Sequence, residues 1–391
     1  MILLFSAIIM IACTAAISSD IYAPSIPDIA KIMNVHVNHV QLTMPCFMLG
    51  VVISMLASGV IMDIYGRKKP LIYGFIVFVF ANLIAANSGS IASLFAARLI
   101  QGFGAGVANC AWRSIFRDNF SGADISKYGG YCAIVMSFMA PAAPFVGGLL
   151  HEYFSWAANF YFMAFYGLIA LTLSALALKD DAKRSSGVEV FANLKNLMQN
   201  RVFLLLCLLS FLFYGTFFSW LVIGPVLIIS TLKYSPSFYG LLNFVVSGLG
   251  FALGGFANGK LVTKLGVDKL LSVGAFIMLA AGIIELLLYY IFGVKLAAIY
   301  LPFFILCLGF SFVFSNIFSK VISPSPTMAG LISGLYGSLQ VLGSVVFGYI
   351  AAYLPDNNQT HFAELVIIIS VLAIILRFII ARVESGQVID S

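Results

Sequence analysis

Two charged side chains, Asp20 and Arg98, stand inside long apolar segments of this 391-residue sequence. A guanidinium in the middle of a membrane-type helix costs at least about 2.5–3.5 kcal/mol to insert, so it needs a partner or a wet cavity. Arg98 cannot realistically lose its proton, whereas a carboxyl group can exchange one as its surroundings change. We therefore expect Asp20 to be the partner of Arg98 and to exchange a proton. The alternative is a static buried ion pair that fixes the packing of two helices.

The composition indicates a membrane protein, because 62% of the residues are apolar and only 9% are charged, against about 45–50% and about 25% in soluble domains. A span takes about 20 apolar residues, and the sequence contains twelve such segments. They centre on residues 2–28, 41–62, 70–88, 92–112, 128–150, 158–178, 202–230, 237–258, 269–292, 296–316, 328–354 and 362–383. The N-terminal segment is expected to be a first span and not a removable signal peptide, and the abrupt start suggests a longer native N-terminus.

The basic residues predict the orientation. Seventeen of the 21 Lys and Arg residues fall in alternate loops or at the C-terminal end, three fall on the opposite side, and the last is Arg98. The positive-inside rule then places both termini in the cytoplasm. Because the basic residues are spread over short loops, the net charge of +6 does not indicate nucleic-acid binding.

The chain divides into two halves. Its longest hydrophilic stretch lies at 179–201, which predicts an N-terminal six-helix bundle (1–178), a cytoplasmic linker (179–201) and a C-terminal six-helix bundle (202–391). An internal repeat supports the division, because the spacing Gly59, Asp63, Gly66 recurs as Gly259, Thr263, Gly266. Two duplicated halves are typical of secondary transporters.

Four motifs resemble the major facilitator superfamily, and in particular its drug:proton antiporter branch of the Bcr/CflA type. GVIMDIYGRKK at 59–69 is similar to the family's loop 2–3 signature, with isoleucine at position 64 where a basic residue is usual. RLIQG at 98–102 resembles the fourth-span motif. APFVGG at 143–148 resembles the fifth-span antiporter motif, with alanine in place of its first glycine. DIYAPSIP at 20–27 is similar to the first-span motif of the branch.

The resemblance implies an all-α protein with twelve transmembrane helices in two pseudo-symmetric six-helix bundles, and it implies roles for particular residues. A cytoplasmic gate would comprise Gly59, Asp63, Gly66, Arg67 and Arg113, with Asp63 paired to Arg113. The glycines at 59 and 66 suit a close backbone approach and a tight turn. A hinge would lie at Pro144, Gly147 and Gly148. The candidates for lining a substrate cavity are Tyr22, Gln101, Tyr214, Phe217, Trp220, Asn243 and Gln340.

The function that these features favour is a proton-coupled exporter of drug-like or amphipathic small molecules. It would work by alternating access, as a monomer in a bacterial inner membrane. A siderophore or metabolite exporter, or an importer on the same fold, is the alternative. An enzyme is not expected, because the four histidines and few buried acids form no metal or acid–base cluster. We expect no metal, cofactor or ATP site. Glu285, a second acid within an apolar segment, is as compatible with a lipid-facing, snorkelling side chain as with a functional one.

Overall fold

A computed structural model describes residues 2–120, 123–179, 197–322, 329–355 and 357–389. In the first part of the chain the elements are α1 (Ile2–Asp20), a 3-10 turn (Ala23–Ser25), α2 (Ile26–Ile32), α3 (Val37–Gln41), α4 (Thr43–Tyr65), α5 (Lys68–Ala86), α6 (Ile91–Asn119), α7 (Ala123–Tyr153) and α8 (Trp156–Ala177). In the second part they are α9 (Arg201–Pro225), a π-helical turn (Val226–Thr231), α10 (Pro236–Phe292), α11 (Leu296–Ile322), α12 (Ala329–Tyr353) and α13 (Thr360–Ile389). These ranges contain no β-strand.

All twelve predicted apolar segments lie on helices. Ten helices of the described ranges are long and apolar enough to cross a membrane. One of these is the 57-residue α10, which the non-helical backbone of Gly266 divides between the eighth and ninth predicted segments. The fifth segment lies on α7, a 31-residue helix that is not among the ten. The helices follow from the composition, since a backbone in hydrocarbon must satisfy its own hydrogen bonds.

The chain forms two compact units. The first comprises Met1–Phe191 together with Tyr234–Phe244, and the second comprises Ala192–Lys233 and Val245–Ser391. The first turns of α10 therefore belong with the first unit, which the apolar pattern gave no reason to expect. The division at residues 178 and 202 stays a prediction.

The internal repeat extends to backbone conformation. Gly66 ends α4 with φ 80° and ψ 173°, and Gly266 interrupts α10 with φ 78° and ψ 161°. A residue with a side chain rarely adopts a positive φ, so glycine is the residue that allows this turn. The predicted tight turn at Gly66 is confirmed. Gly59 differs, because no described residue lies within 4 Å of a Cβ atom placed there; its part in the gate stays a prediction.

Helix packing repeats as well. A Cβ atom on Gly104 of α6 would lie 2.6 Å from the carbonyl oxygen of Gly74 on α5. In the second unit a Cβ atom on Gly309 of α11 would lie 2.9 Å from the carbonyl oxygen of Gly274 on α10. Small residues thus let equivalent helix pairs approach closely within each unit, as is usual where lipid removes the hydrophobic drive for association.

We predict that Gly102→Ala destabilises the protein. A Cβ atom on Gly102 would lie 2.1 Å from the carbonyl oxygen of Phe47, and overpacking of this kind costs about 1–3 kcal/mol. Gly248→Ala is the matched control, because Gly248 is also helical and nothing lies within 4 Å of its Cβ position. The control should be neutral or stabilising by up to about 1 kcal/mol. The measurement is the melting temperature of each purified variant in detergent; equal values for the two variants would contradict the packing described here.

Candidate functional site

The first-span motif ends a helix inside the apolar segment. α1 stops at Asp20, and a 3-10 turn begins at Ala23 with Pro24 in its first turn. The last carbonyl groups of a helix have no backbone N–H to accept from. One of them, the carbonyl of Ser18, accepts a hydrogen bond of 3.1 Å from Nη1 of Arg98 on α6. The helix break therefore creates the acceptor that the buried arginine needs.

The guanidinium of Arg98 lies between two aromatic rings. Its Cζ atom is 4.3 Å from the ring centroid of Tyr22 and 4.2 Å from that of Phe47. Its side chain is 0% exposed, and a desolvated cation over a ring gains about 2 kcal/mol or more from each such contact. Among the described residues, the Nε and Nη2 atoms meet no acceptor in hydrogen-bonding geometry. Arg98 is thus stabilised by ring faces and one helix end, and it keeps two donors that could receive an anionic group.

A chain of amide hydrogen bonds extends from Arg98 into the first unit. Nη1 of Arg98 donates to Oε1 of Gln101 at 2.5 Å. Nε2 of Gln101 donates to Oδ1 of Asn82 on α5 at 2.7 Å and lies 3.2 Å from the sulfur of Met163 on α8. Gln101 is fully buried. Its hydrogen bonds to Asn82 and Arg98 orient the guanidinium. Lining a substrate cavity stays a prediction for Gln101.

Asp20 is buried, with 6% of its surface exposed, and Oγ of Ser19 donates to its Oδ1 atom. We expected Asp20 to be the direct partner of Arg98, but the described salt bridges do not include that pair. Nη1 of Arg98 donates instead to the Ser18 carbonyl and to Gln101, while Asp20 accepts from the hydroxyl of Ser19. Asp20 and Arg98 are still neighbours in the structure. Ser18 and Tyr22 flank Asp20 at two residues on either side, and both contact Arg98.

Tyr22 connects this cluster to its surroundings. Its hydroxyl shares a hydrogen bond of 2.6 Å with Oγ1 of Thr43, and its ring centroid lies 5.5 Å from that of Phe160 on α8. Tyr22 is 0% exposed. Tyr22 could contact substrate directly only in a conformation that exposes its side chain, and that contact stays a prediction.

The gate residues lie where α4 meets α5 and at the end of α6. Nε of Arg67 donates to Oδ2 of Asp118 at 2.8 Å, a pair that the sequence did not predict. Cζ of Arg113 lies 4.8 Å from the ring of Trp112. The side chain of Asp63 lies outside the described residues, so the pairing of Asp63 with Arg113 stays a prediction.

The predicted hinge is a site of close backbone packing within the first unit. A Cβ atom on Gly147 would lie 1.6 Å from the carbonyl oxygen of Ile21, and one on Gly148 would lie 2.4 Å from that of Pro236. Gly240 faces Pro144 in the same way, since its Cβ position is 2.3 Å from the Pro144 carbonyl oxygen. The motif thus brings α7 against the residue that follows Asp20 and against the first turns of α10. Bending at these residues stays a prediction.

The remaining cavity candidates lie on α9, α10 and α12. Trp220 is 0% exposed and stacks on Phe303 with 4.4 Å between ring centroids. Phe217 contacts Phe310 at 5.3 Å between ring centroids. Nε2 of Gln340 donates to the hydroxyl of Tyr336 at 3.4 Å. The other two candidates are the half-buried Tyr214 and the buried Asn243.

Sequence reasoning missed several residues that hold Arg98 and Gln101. Asn82 carried a usable signal, because it is an amide in the middle of an apolar segment. Phe47 and Met163 carried none, since aromatic and thioether side chains are common throughout such segments.

Comparisons with known proteins show the family of the chain. The family model described as "Major Facilitator Superfamily" matches residues 8–348. An uncharacterized MFS-type transporter, YdgK of Bacillus subtilis, is 29% identical over 374 residues, which cover 94% of this chain and 91% of that protein. A bicyclomycin resistance protein homolog of Haemophilus influenzae is 25% identical over 370 residues, 90% of each chain. Multidrug resistance protein MdtL of Citrobacter koseri is 26% identical over 363 residues, 91% and 90% of the two chains.

Solved structures show the same fold. The crystal structure of a D-xylose–proton symporter aligns with a TM-score of 0.78 at 13% identity and covers 96% of this chain and 97% of that chain. A nucleoside transporter, NupG, aligns with a TM-score of 0.72 at 13% identity, covering 97% and 99%.

The apolar helices and the matching family model define a polytopic membrane transporter, and the chain belongs to the Major Facilitator Superfamily. It is an integral membrane protein with a small-molecule substrate, and its family and relatives are transporters, not enzymes. The predicted fold class and the resemblance to the Bcr-like branch are confirmed.

A titratable pair lies just beyond the glycines of α7. Nε2 of His151 is 3.6 Å from Oδ2 of Asp28 on α2. Burial lowers the pKa of His151 below its ordinary value of 6.5, and the carboxylates of Asp28 and Glu152 only partly oppose this.

We predict that stability falls as the pH drops through the ordinary pKa of histidine. Because burial lowers the pKa of His151 in the folded state, the unfolded chain binds more protons, and acid favours unfolding. The melting temperature of the wild type should fall between about pH 7.5 and about pH 5.5, and His151→Gln should fall less. The exposed His36 provides the control, since His36→Gln should follow the wild type. A His151→Gln variant with the slope of the wild type would refute this assignment.

Proposed function

We propose that the protein is a proton-coupled exporter of amphipathic, drug-like small molecules in a bacterial inner membrane. The observation that carries this proposal is the site at the end of α1. There a buried carboxyl, Asp20, has only a neutral hydroxyl as its described hydrogen-bond partner, while a permanently charged arginine is held nearby by groups that cannot titrate near neutral pH.

Asp20 has the chemistry of a proton carrier. A carboxyl group exchanges protons in the physiological range when its surroundings change, while an arginine stays protonated. Opening of the site to water would lower the cost of ionising Asp20, and the two unused donors of Arg98 would favour the charged form. Closing would favour protonation. One proton could then be bound and released as access to the site alternates.

Export of amphipathic molecules is supported by the names of two relatives, which refer to bicyclomycin resistance and multidrug resistance. The APFVGG motif on α7, which resembles an antiporter motif, adds to this, because its Gly147 packs on Ile21, next to Asp20. The aromatic side chains of α9, Phe217 and Trp220, suit apolar or cationic ligands. Export of a siderophore or metabolite is the second candidate, since nothing in these contacts selects one amphipathic class.

We predict that substrate binding releases a proton from the wild type and that Asp20→Asn abolishes the release. The assay uses purified protein in an unbuffered detergent solution. The ligands are cationic, neutral and zwitterionic amphiphiles and a siderophore, and binding is verified by a shift in melting temperature. A bound substrate that competes with the Asp20 proton displaces it, and an asparagine has no proton to lose.

Asp28→Asn is the matched control, because Asp28 is a partly exposed acid eight residues further along the chain that pairs with His151. Asp28→Asn should release protons like the wild type. Verified binding without proton release from the wild type would rule out competition at Asp20.

A further inference from the structure

Glu285, on the second part of α10, is a buried carboxyl group that the site around Asp20 does not use. It is 2% exposed, and its Oε1 atom meets no hydrogen-bond partner in the part of the chain that the structure describes. The lipid-facing, snorkelling side chain that the sequence left open is therefore wrong: the carboxyl lies inside the second unit.

The packing of α10 explains why Glu285 points inward. A Cβ atom on Gly274 would lie 2.9 Å from the carbonyl oxygen of Gly309 on α11, and one on Gly282 would lie 3.1 Å from that of Ala363 on α13. Residues three or four positions apart share a helix face. Glu285 follows Gly282 by three positions, so it continues the face that packs on α11 and α13.

The charged groups of these helices lie elsewhere. Lys320 of α11 and Arg377 of α13 both pair with Asp268, at 2.6 and 2.8 Å. Asp268 precedes Glu285 by 17 residues, or about 25 Å along a helix. The other ionisable side chains on the two helices are Tyr300, Cys307, His361, Glu364, Arg382 and Glu384. Among the described salt bridges none involves Glu285.

We propose that Glu285 is a second proton-binding site of this protein, contained in the second unit, and that its carboxyl carries a proton in this conformation. An ionised carboxylate that is buried with an oxygen atom that no described donor reaches is strongly unfavourable, and binding a proton removes the charge. A metal cation is a poor substitute, because it requires several oxygen ligands. The described residues contain no cluster of three potential metal-binding side chains.

A proton here would be additional to the one assigned to Asp20. Its use in transport rests on the proposed function, but the presence of the proton on Glu285 does not depend on that function. A purely structural position would be filled better by an apolar residue, because a neutral acid still leaves polar atoms without partners. Glu285 therefore serves as a site whose proton exchanges with water when α10, α11 and α13 rearrange.

The test is infrared spectroscopy of the purified protein at neutral pH, in the region where protonated carboxyl groups absorb. We expect a band in the wild type that is lost in Glu285→Gln and kept in Asp28→Asn. Transfer to D2O should shift the wild-type band to lower wavenumber, because an exchangeable proton is replaced by deuterium. Wild-type protein labelled with 13C at the glutamate carboxyl should show the same band displaced, which tests the assignment without a substitution.

Identical carboxyl bands in the wild type and Glu285→Gln, or a band that the glutamate label leaves unmoved, would overturn the proposal. A Glu285 band that D2O leaves unmoved would overturn the exchange with water. None of these infrared measurements requires a substrate. A negative result for Glu285 is therefore distinct from a failure of substrate to release a proton from Asp20.

Discussion

The structure of the first unit depends on one constraint. The Arg98 guanidinium is buried away from water, so nearby groups must compensate its charge. The side chain is fully buried, and each group that compensates its charge comes from a specific place. The end of α1 provides the Ser18 carbonyl and the Tyr22 ring, α4 provides Phe47, and α6 itself provides Gln101. Because a buried cation that loses its hydrogen-bond acceptors is strongly destabilising, these contacts fix where α1 must end and how α1, α4 and α6 must pack.

The second unit repeats the helix packing around a cluster of aromatic side chains. In the first unit Tyr22 lies against Arg98 and 5.5 Å from Phe160. In the second unit Trp220 stacks on Phe303 and lies 5.5 Å from Phe362. Phe303 is on α11, which packs against α10 through glycines as α6 packs against α5. On similar helix frames, the first unit thus places a buried arginine among its aromatic rings, and the second unit places a cluster of aromatic rings around Trp220.

Much of the fold could be predicted, because its signals are local. Apolar length gave the helices, and the positive φ of Gly66 and Gly266 follows from a spacing visible in the sequence. The site could be predicted only in part. Asp20, Arg98 and Tyr22 do come together. Whether Arg98 donates to the Asp20 carboxylate or to a backbone carbonyl at the end of α1 depends on the residue at which α1 ends and on how that end faces α6. Likewise, sequence alone could not say which face of α10 Glu285 occupies or that Tyr234–Phe244 packs with the first unit.

The most direct test of proton coupling at Asp20 separates substrate movement from proton movement in proteoliposomes. Exchange of labelled for unlabelled substrate requires only that the loaded site changes its access, whereas accumulation against a gradient requires the proton as well. If Asp20 carries the proton, Asp20→Asn should retain exchange and lose accumulation driven by a pH gradient. Accumulation by Asp20→Asn at the level of the wild type would contradict the account.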